Sequence, residues 1–197
     1  LPILEKLELT PQPVENFKYY SGEGADMLIR RCLKDAGDPE LMHYEECRSL
    51  YREKFDADPL YKVVPYDGIM ETLKELKNRG MKLAVCSNKP HVAAVKVIAQ
   101  MFDGYFDLVI GQSDEIRRKP APDGPLKAAQ EFGMTPSECM YVGDTKTDME
   151  TGNAAKMHTV GVLWGFRDRR ELESNGAEVI AEKPQDLLKI CEEWKND

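Results

Sequence analysis

The apolar positions of this chain change period after its first third. Between Pro11 and Val64 they recur at intervals of three and four. The stretch from Ala25 to Ala36 lines up Leu28, Ile29, Cys32 and Leu33, and Gly37 follows it. The stretch from Glu40 to Phe55 lines up Leu41, Tyr44, Cys47, Leu50 and Tyr51. That spacing predicts two amphipathic helices in a small helical unit, the first closed by a C-terminal glycine. Pro65-Tyr66-Asp67-Gly68 then interrupts the pattern as a domain boundary does. Beyond it, helical patterns over 69–79, 92–101, 125–132, 148–155 and 184–194 alternate with short apolar runs over 82–86, 106–110, 139–142 and 159–163, with a weaker run over 178–181. Alternation of this kind predicts an α/β fold built on a parallel sheet. Ligands of such sheets bind beyond the carboxyl ends of the strands, where Ser87, Gly111 and Asp144 fall.

At 197 residues the chain can bury a core and has room for one domain plus a small insertion. Its 27 basic and 35 acidic residues leave a net charge of −8, which argues against a nucleic-acid-binding surface and favours a cytoplasmic location. A local cationic pocket could still take a small anion. Five cysteines, odd in number, scattered and without a C-x-x-C pair, read as reduced core thiols. No apolar run is long enough to span a bilayer, and no cleavable leader is recognisable. The first residue is Leu1, which fits a start inside a longer polypeptide or equally the removal of a tag.

Chemistry concentrates at three strand ends. Met140-Tyr141-Val142-Gly143-Asp144-Thr145-Lys146-Thr147-Asp148 is an apolar run closed by a glycine and two carboxylates four apart, on one face of the following turn or helix. Hard oxygen ligands at a strand end suit Mg²⁺ paired with a phosphate, although an acid at a helix start is also an ordinary cap. Val85-Cys86-Ser87-Asn88-Lys89-Pro90 ends a strand with a hydroxyl beside backbone N–H groups, a phosphate cradle or a simple helix cap. Arg117-Arg118-Lys119-Pro120-Ala121-Pro122-Asp123 projects a lysine from a proline-stiffened loop; Arg117 and Arg118 read as solvated surface.

In this order and spacing the three segments resemble the haloacid dehalogenase-like hydrolase superfamily, and within it the phosphoglycolate-phosphatase-like members, over nearly the whole chain. The resemblance implies a Rossmann-like parallel sheet core, residues 65–197, with a small all-helical cap domain, residues 1–64 in part. It implies that Ser87 and Lys119 bind the transferring phosphoryl group, that Asn88 contributes to substrate binding, and that Asp144 is the principal Mg²⁺ ligand with Asp148 a ligand or its partner. Gly22, Glu23 and Gly24 resemble the cap segment facing the site; the alternative is a plain turn before a helix. Arg30 and Arg31 could meet a substrate carboxylate.

One family feature is absent. The nucleophile lies in D-x-D-G-T after an apolar strand near the amino terminus, and no such segment is present; Asp56-Ala57-Asp58 follows a charged helix and precedes Pro59, so it is rejected. The resemblance therefore implies a core lacking its first, central strand, with two strand edges left facing each other. The complete enzyme would hydrolyse a small phosphate monoester through an aspartyl-phosphate, as a monomer or homodimer, while the 197 residues alone would turn over nothing. A phosphosugar mutase or pyrophosphatase would share these motifs, and a non-catalytic relative would keep the fold. No strand is followed by G-x-G-x-x-G, which sets aside dinucleotide binding. His91 lies four residues from Ser87 without a third partner, so no triad is read, and Cys86 reads as core.

Overall fold

The computed structural model describes residues 2–58, 60 and 63–194; Pro59 and the side chain of Asp56 lie outside the described residues. The chain divides into two compact units, Leu1–Lys62 and Val63–Asp197.

The first unit is helical: α1 (Pro2–Lys6), α2 (Phe17–Tyr20), α3 (Ala25–Asp35) and α4 (Tyr44–Ala57). Its core is one cluster of Leu4, Leu7, Tyr20, Ile29, Cys32, Leu33, Ala36 and Cys47, so the apolar stripes read in α3 and α4 are the buried ones. Helix α4 begins four residues later than the periodicity suggests. Leu41 takes a left-handed φ of 60°. Asp38, 5% exposed, accepts the backbone N–H groups of Met42 and His43, each at 2.8 Å. A carboxylate that ties down these amides holds 38–43 as a turn and fixes where the helix starts.

The second unit alternates as expected: α5 (Ile69–Asn78), β1 (Ala84–Pro90), α6 (His91–Met101), β2 (Leu108–Gln112), α7 (Asp123–Phe132), β3 (Met140–Gly143), α8 (Lys146–Ala154), β4 (His158–Val162), α9 (Arg169–Ser174), β5 (Val179–Ala181) and α10 (Asp186–Trp194). Helix α9 was not legible in the sequence, because six residues with one buried position, Leu172, carry no period. All strand pairs are parallel, and β4 is buried along nearly its whole length, as a strand covered on both faces should be. Close packing sets two glycines. A Cβ on Gly152 of α8 would lie 2.5 Å from Thr159 Cγ2, and one on Gly111 of β2 would lie 2.5 Å from the His91 Cα.

The strands form two sheets, β1-β2 and β3-β4-β5. Among the described residues, no strand joins β1 to β3. Between them lies a cavity of about 1160 Å³, lined by Ala84, Val85 and Cys86 on one side and Met140, Tyr141 and Val142 on the other. Val142 on the edge strand β3 lines this cavity and is 42% exposed.

Candidate active site

The carboxyl ends of β1 and β3 and the loop before α7 converge. Asn88, near the end of β1, grips the backbone of Lys119: its Oδ1 accepts the Lys119 N–H at 2.7 Å and its Nδ2 donates to the Lys119 carbonyl at 3.4 Å. The side chain of Lys119 then reaches Asp148 at the first turn of α8, with Nζ donating to Oδ1 at 2.6 Å. Both partners are largely enclosed, with side-chain exposures of 17% and 9%. The loop that projects Lys119 is braced from outside. Arg117 forms a two-pronged pair with Asp123 at 2.6 and 2.8 Å, holding that carboxyl down at about 2, and Arg118 donates to Gln112 at 2.8 Å. The two arginines are thus loop braces as well as surface.

Asp148 is saturated. Its Oδ2 accepts the Thr145 hydroxyl at 2.6 Å and the N–H groups of Thr145 and Asp144 at 3.1 and 3.3 Å. Thr145, not Asp144, caps α8, and Asp148 answers it in a reciprocal capping box. Burial works against the Asp148 carboxylate, but Lys119 and these donors outweigh it and hold its pKa below the ordinary range. Lys119 shifts in the matching direction: burial opposes its charge, while Tyr141 and the Asp148 carboxylate support it, with the balance upward. Gly143 owes its identity to this packing. It has no left-handed φ, but a Cβ there would lie 2.1 Å from the Asp148 Cβ.

Asp144 is placed differently. Its Oδ2 accepts the Phe166 N–H at 2.8 Å, and burial, with the nearby Asp148 charge, raises its pKa despite that bond and Lys119. A desolvated carboxylate that no ammonium contacts directly is suited to a cation. Mg²⁺ is commonly held by one or two carboxylates, with water and substrate phosphate completing its shell. Asp144 with the adjoining cavity fits that donor set; Asp148 fits a supporting role, since its oxygens already serve Lys119 and the turn. Among the described residues no three His, Cys, Asp or Glu side chains cluster as an all-protein metal cage would.

Ser87 precedes Asn88 on β1, and its Oγ accepts the Lys89 N–H at 3.1 Å; α6 begins at His91 after Pro90, so Ser87 does not cap that helix. Gly22, Glu23 and Gly24 belong to the helical unit. Gly22 and Gly24 adopt φ of 115° and 89°, and Glu23 is paired with Arg31, which also donates to the carbonyls of Tyr19 and Tyr20 at 3.4 Å. Arg30 stacks over the Tyr44 ring at 4.2 Å. The His91 Nδ1 accepts the Gly111 N–H at 3.3 Å, a structural bond between α6 and β2. Burial pushes the Cys86 thiol up to about 11, which suits a core residue and not a nucleophile.

The loop after β4 escaped the sequence reading. A Cβ on Gly165 would stand 2.2 Å from the Asp144 Cβ, so only glycine lets the Phe166 amide reach that carboxylate. The available signal was positional: Trp164-Gly165-Phe166 follows the carboxyl end of a strand in the same sheet as Asp144.

Residues 2–162 match the family model described as haloacid dehalogenase-like hydrolase. The chain is 33% identical over 190 residues to the phosphoglycolate phosphatase of Aquifex aeolicus, covering 96% of this chain and 85% of that protein. It is 28% identical to the phosphoglycolate phosphatase of Pseudomonas putida, covering 96% and 71%. Among solved structures, a protein from Lactobacillus delbrueckii subsp. bulgaricus superimposes with a TM-score of 0.85 at 29% identity, covering 91% of this chain and 83% of that one. A haloacid dehalogenase-like family hydrolase from Streptococcus pneumoniae superimposes at 0.83 with 22% identity, covering 96% and 86%, a likeness of fold. On the family model over residues 2–162 and on a relative 33% identical over most of both chains, the chain belongs to the haloacid dehalogenase-like hydrolases.

Proposed function

We propose that this chain forms the greater part of a Mg²⁺-dependent phosphatase acting on a small phosphate monoester of the phosphoglycolate type. The observation that carries the reading is the enclosed Lys119 ammonium, aimed by Asn88 and Asp148 at strand ends that also carry Ser87 and Asp144. Phosphoryl transfer asks mainly for positioning and for charge opposed to the equatorial oxygens. Lys119 supplies a fixed positive charge and Ser87 a hydroxyl donor. Asn88, with both ends of its amide on the Lys119 backbone, acts as a positioning residue for that lysine. Asp144 would hold Mg²⁺, which when bound supplies further positive charge to the phosphate oxygens; Asp148 keeps Lys119 charged and in place.

Neither aspartate is placed to attack phosphorus, since Asp148 is saturated and Asp144 faces a cation's role. In this reading the attacking aspartate, which forms the aspartyl-phosphate, sits on a strand outside these residues, with a second carboxylate protonating the leaving alcohol. The names of the relatives support phosphoglycolate as the first substrate to try.

Phosphate release from a panel of small monoesters, by the purified product of the full gene with and without Mg²⁺, tests this. Mg²⁺-dependent hydrolysis with 2-phosphoglycolate preferred is expected, and Lys119→Met should lower kcat by about 10²–10³. No release from any ester, or full activity in K119M, would refute it. A requirement for a bisphosphate activator would turn the reading to a mutase.

A further inference from the structure

The backbone amide that meets the Asp144 carboxylate is one link in a closed ring. Phe166 donates its N–H to Asp144 Oδ2 at 2.8 Å, and its carbonyl accepts Nη1 of Arg167 at 3.4 Å. The Arg167 Nε lies 3.1 Å from Oε1 of Glu171 in the first turn of α9. That same oxygen accepts the N–H of Lys146 at 3.3 Å, the first residue of α8 and two positions past Asp144. The contacts thus run from Asp144 through Phe166, Arg167 and Glu171 to Lys146, and the chain itself leads back to Asp144.

An ion pair on a helix surface has a different character. Arg169 pairs with Glu173 at the same four-residue spacing and keeps 47% of its side chain exposed, whereas Arg167 keeps 10%. Arginine is enclosed where its charge is matched. Glu171 matches it and at the same time satisfies an amide of the α8 first turn that has no partner within that helix. The carboxylate is presented from a capped turn, since Asp168 Oδ1 accepts the Glu171 N–H at 2.9 Å and Leu172 beside it is buried.

We infer, on the reading of Asp144 as the Mg²⁺ ligand, that Arg167 and Glu171 are positioning residues for that carboxylate: they clamp the Phe166 peptide, so that its N–H fixes Oδ2 and leaves Oδ1 for the cation. A hydrogen-bond donor to a ligating carboxylate sets its orientation, and losing such support typically lowers metal affinity by about 10–100-fold. Helix α9, short and without a period in the sequence, thereby braces a metal ligand that neither of its two clamping residues touches.

Glu171→Ala, Glu171→Gln and Arg167→Met, with Glu173→Gln as the exposed control on α9, test this in the purified product of the full gene. The exchange rate of the Phe166 amide is followed by NMR in the metal-free protein beside the amides of β4, and Mn²⁺ affinity is measured by electron paramagnetic resonance without substrate. Glu171→Ala and Arg167→Met should each speed Phe166 exchange by about tenfold or more and weaken Mn²⁺ binding by about tenfold or more, while β4 keeps its rates. Glu171→Gln, whose amide oxygen can still accept from Lys146 and Arg167, should recover part of both effects, and Glu173→Gln should change neither. Unchanged Phe166 exchange or unchanged Mn²⁺ affinity in either Glu171→Ala or Arg167→Met would overturn the inference. So would an equal loss in Glu173→Gln, or faster exchange across β4 as well, the mark of a general loosening. Asp144→Asn separates this from the reading beneath it. If that variant binds Mn²⁺ as tightly as the unaltered protein, or if neither binds it, the metal ligand and its positioning fail together; if it alone binds more weakly, the positioning fails and the ligand stands.

Discussion

Lys119 and Asp148 form a pair whose burial makes each depend on the other. Removing the ammonium leaves a carboxylate that is 9% exposed without its counter-charge. Lys119→Met is therefore expected to cost about 3–5 kcal/mol in urea unfolding, and adding Asp148→Asn should recover part of it. Asp144 should behave in the opposite way. Burial raises its pKa, so its charge opposes folding, and Asp144→Asn should leave the metal-free protein as stable or slightly more so. If Asp144 holds Mg²⁺ as proposed, the ion should raise the thermal midpoint of the unaltered chain, and the same substitution should abolish that rise. Gly165→Ala tests the geometry beside it: a Cβ 2.2 Å from that of Asp144 must displace the carboxylate, so the Mg²⁺-induced rise should shrink while the far-ultraviolet circular dichroism is unchanged. Ser87, Asp144 and Asp148 stand out as candidates in the sequence because each lies at or just past the end of an apolar run, and Lys119 because prolines stiffen the loop that carries it. The Phe166 amide does not, since a backbone donor 22 residues from its acceptor leaves no compositional mark.

At the scale of elements, boundaries were decided by side chains that periodicity does not weigh. The apolar pattern of α4 extends back to Leu41, but Asp38 engages the amides of Met42 and His43 and starts the helix at Tyr44. Burial opposes the Asp38 charge, yet the donors from His43 and Met42 prevail and its pKa is lowered. A folded pKa below the unfolded value of about 3.9 means that this stabilisation is full above that value and is lost as pH falls through the folded one. Asp38→Asn should thus cost about 1–2 kcal/mol at neutral pH and flatten the acid limb of the stability curve below about pH 4, read by chemical denaturation across pH. An acid limb identical to that of the unaltered chain would contradict this account of the α4 start. Strand β1, by contrast, runs past the apolar stretch to Pro90, because Pro90 still pairs with Gln112 of β2 after a register shift. Pairing, not hydrophobicity, ends that strand.

For the whole molecule, the α/β alternation predicts the order of elements apart from α9 and the parallel direction of the strands, and the structure adds how the sheet is divided. The motif resemblance implied a core with two strand edges exposed to each other, and the described residues form a two-stranded and a three-stranded sheet with a cavity between them. What could not be read was how the site survives that division. Lys119 bridges it, tied by Asn88 to the β1 side and by Asp148 to the β3 side. The groups that the proposed function assigns to the phosphate are therefore assembled across the gap by side chains, and on that reading they should bind a metal-phosphate pair weakly even without a nucleophile. Relaxation of inorganic phosphate by Mn²⁺, used in place of Mg²⁺ and followed by ³¹P NMR, reads that assembly directly. The account predicts a protein-dependent enhancement that is lost in both Asp144→Asn and Lys119→Met, whereas an enhancement unchanged by either substitution would contradict it.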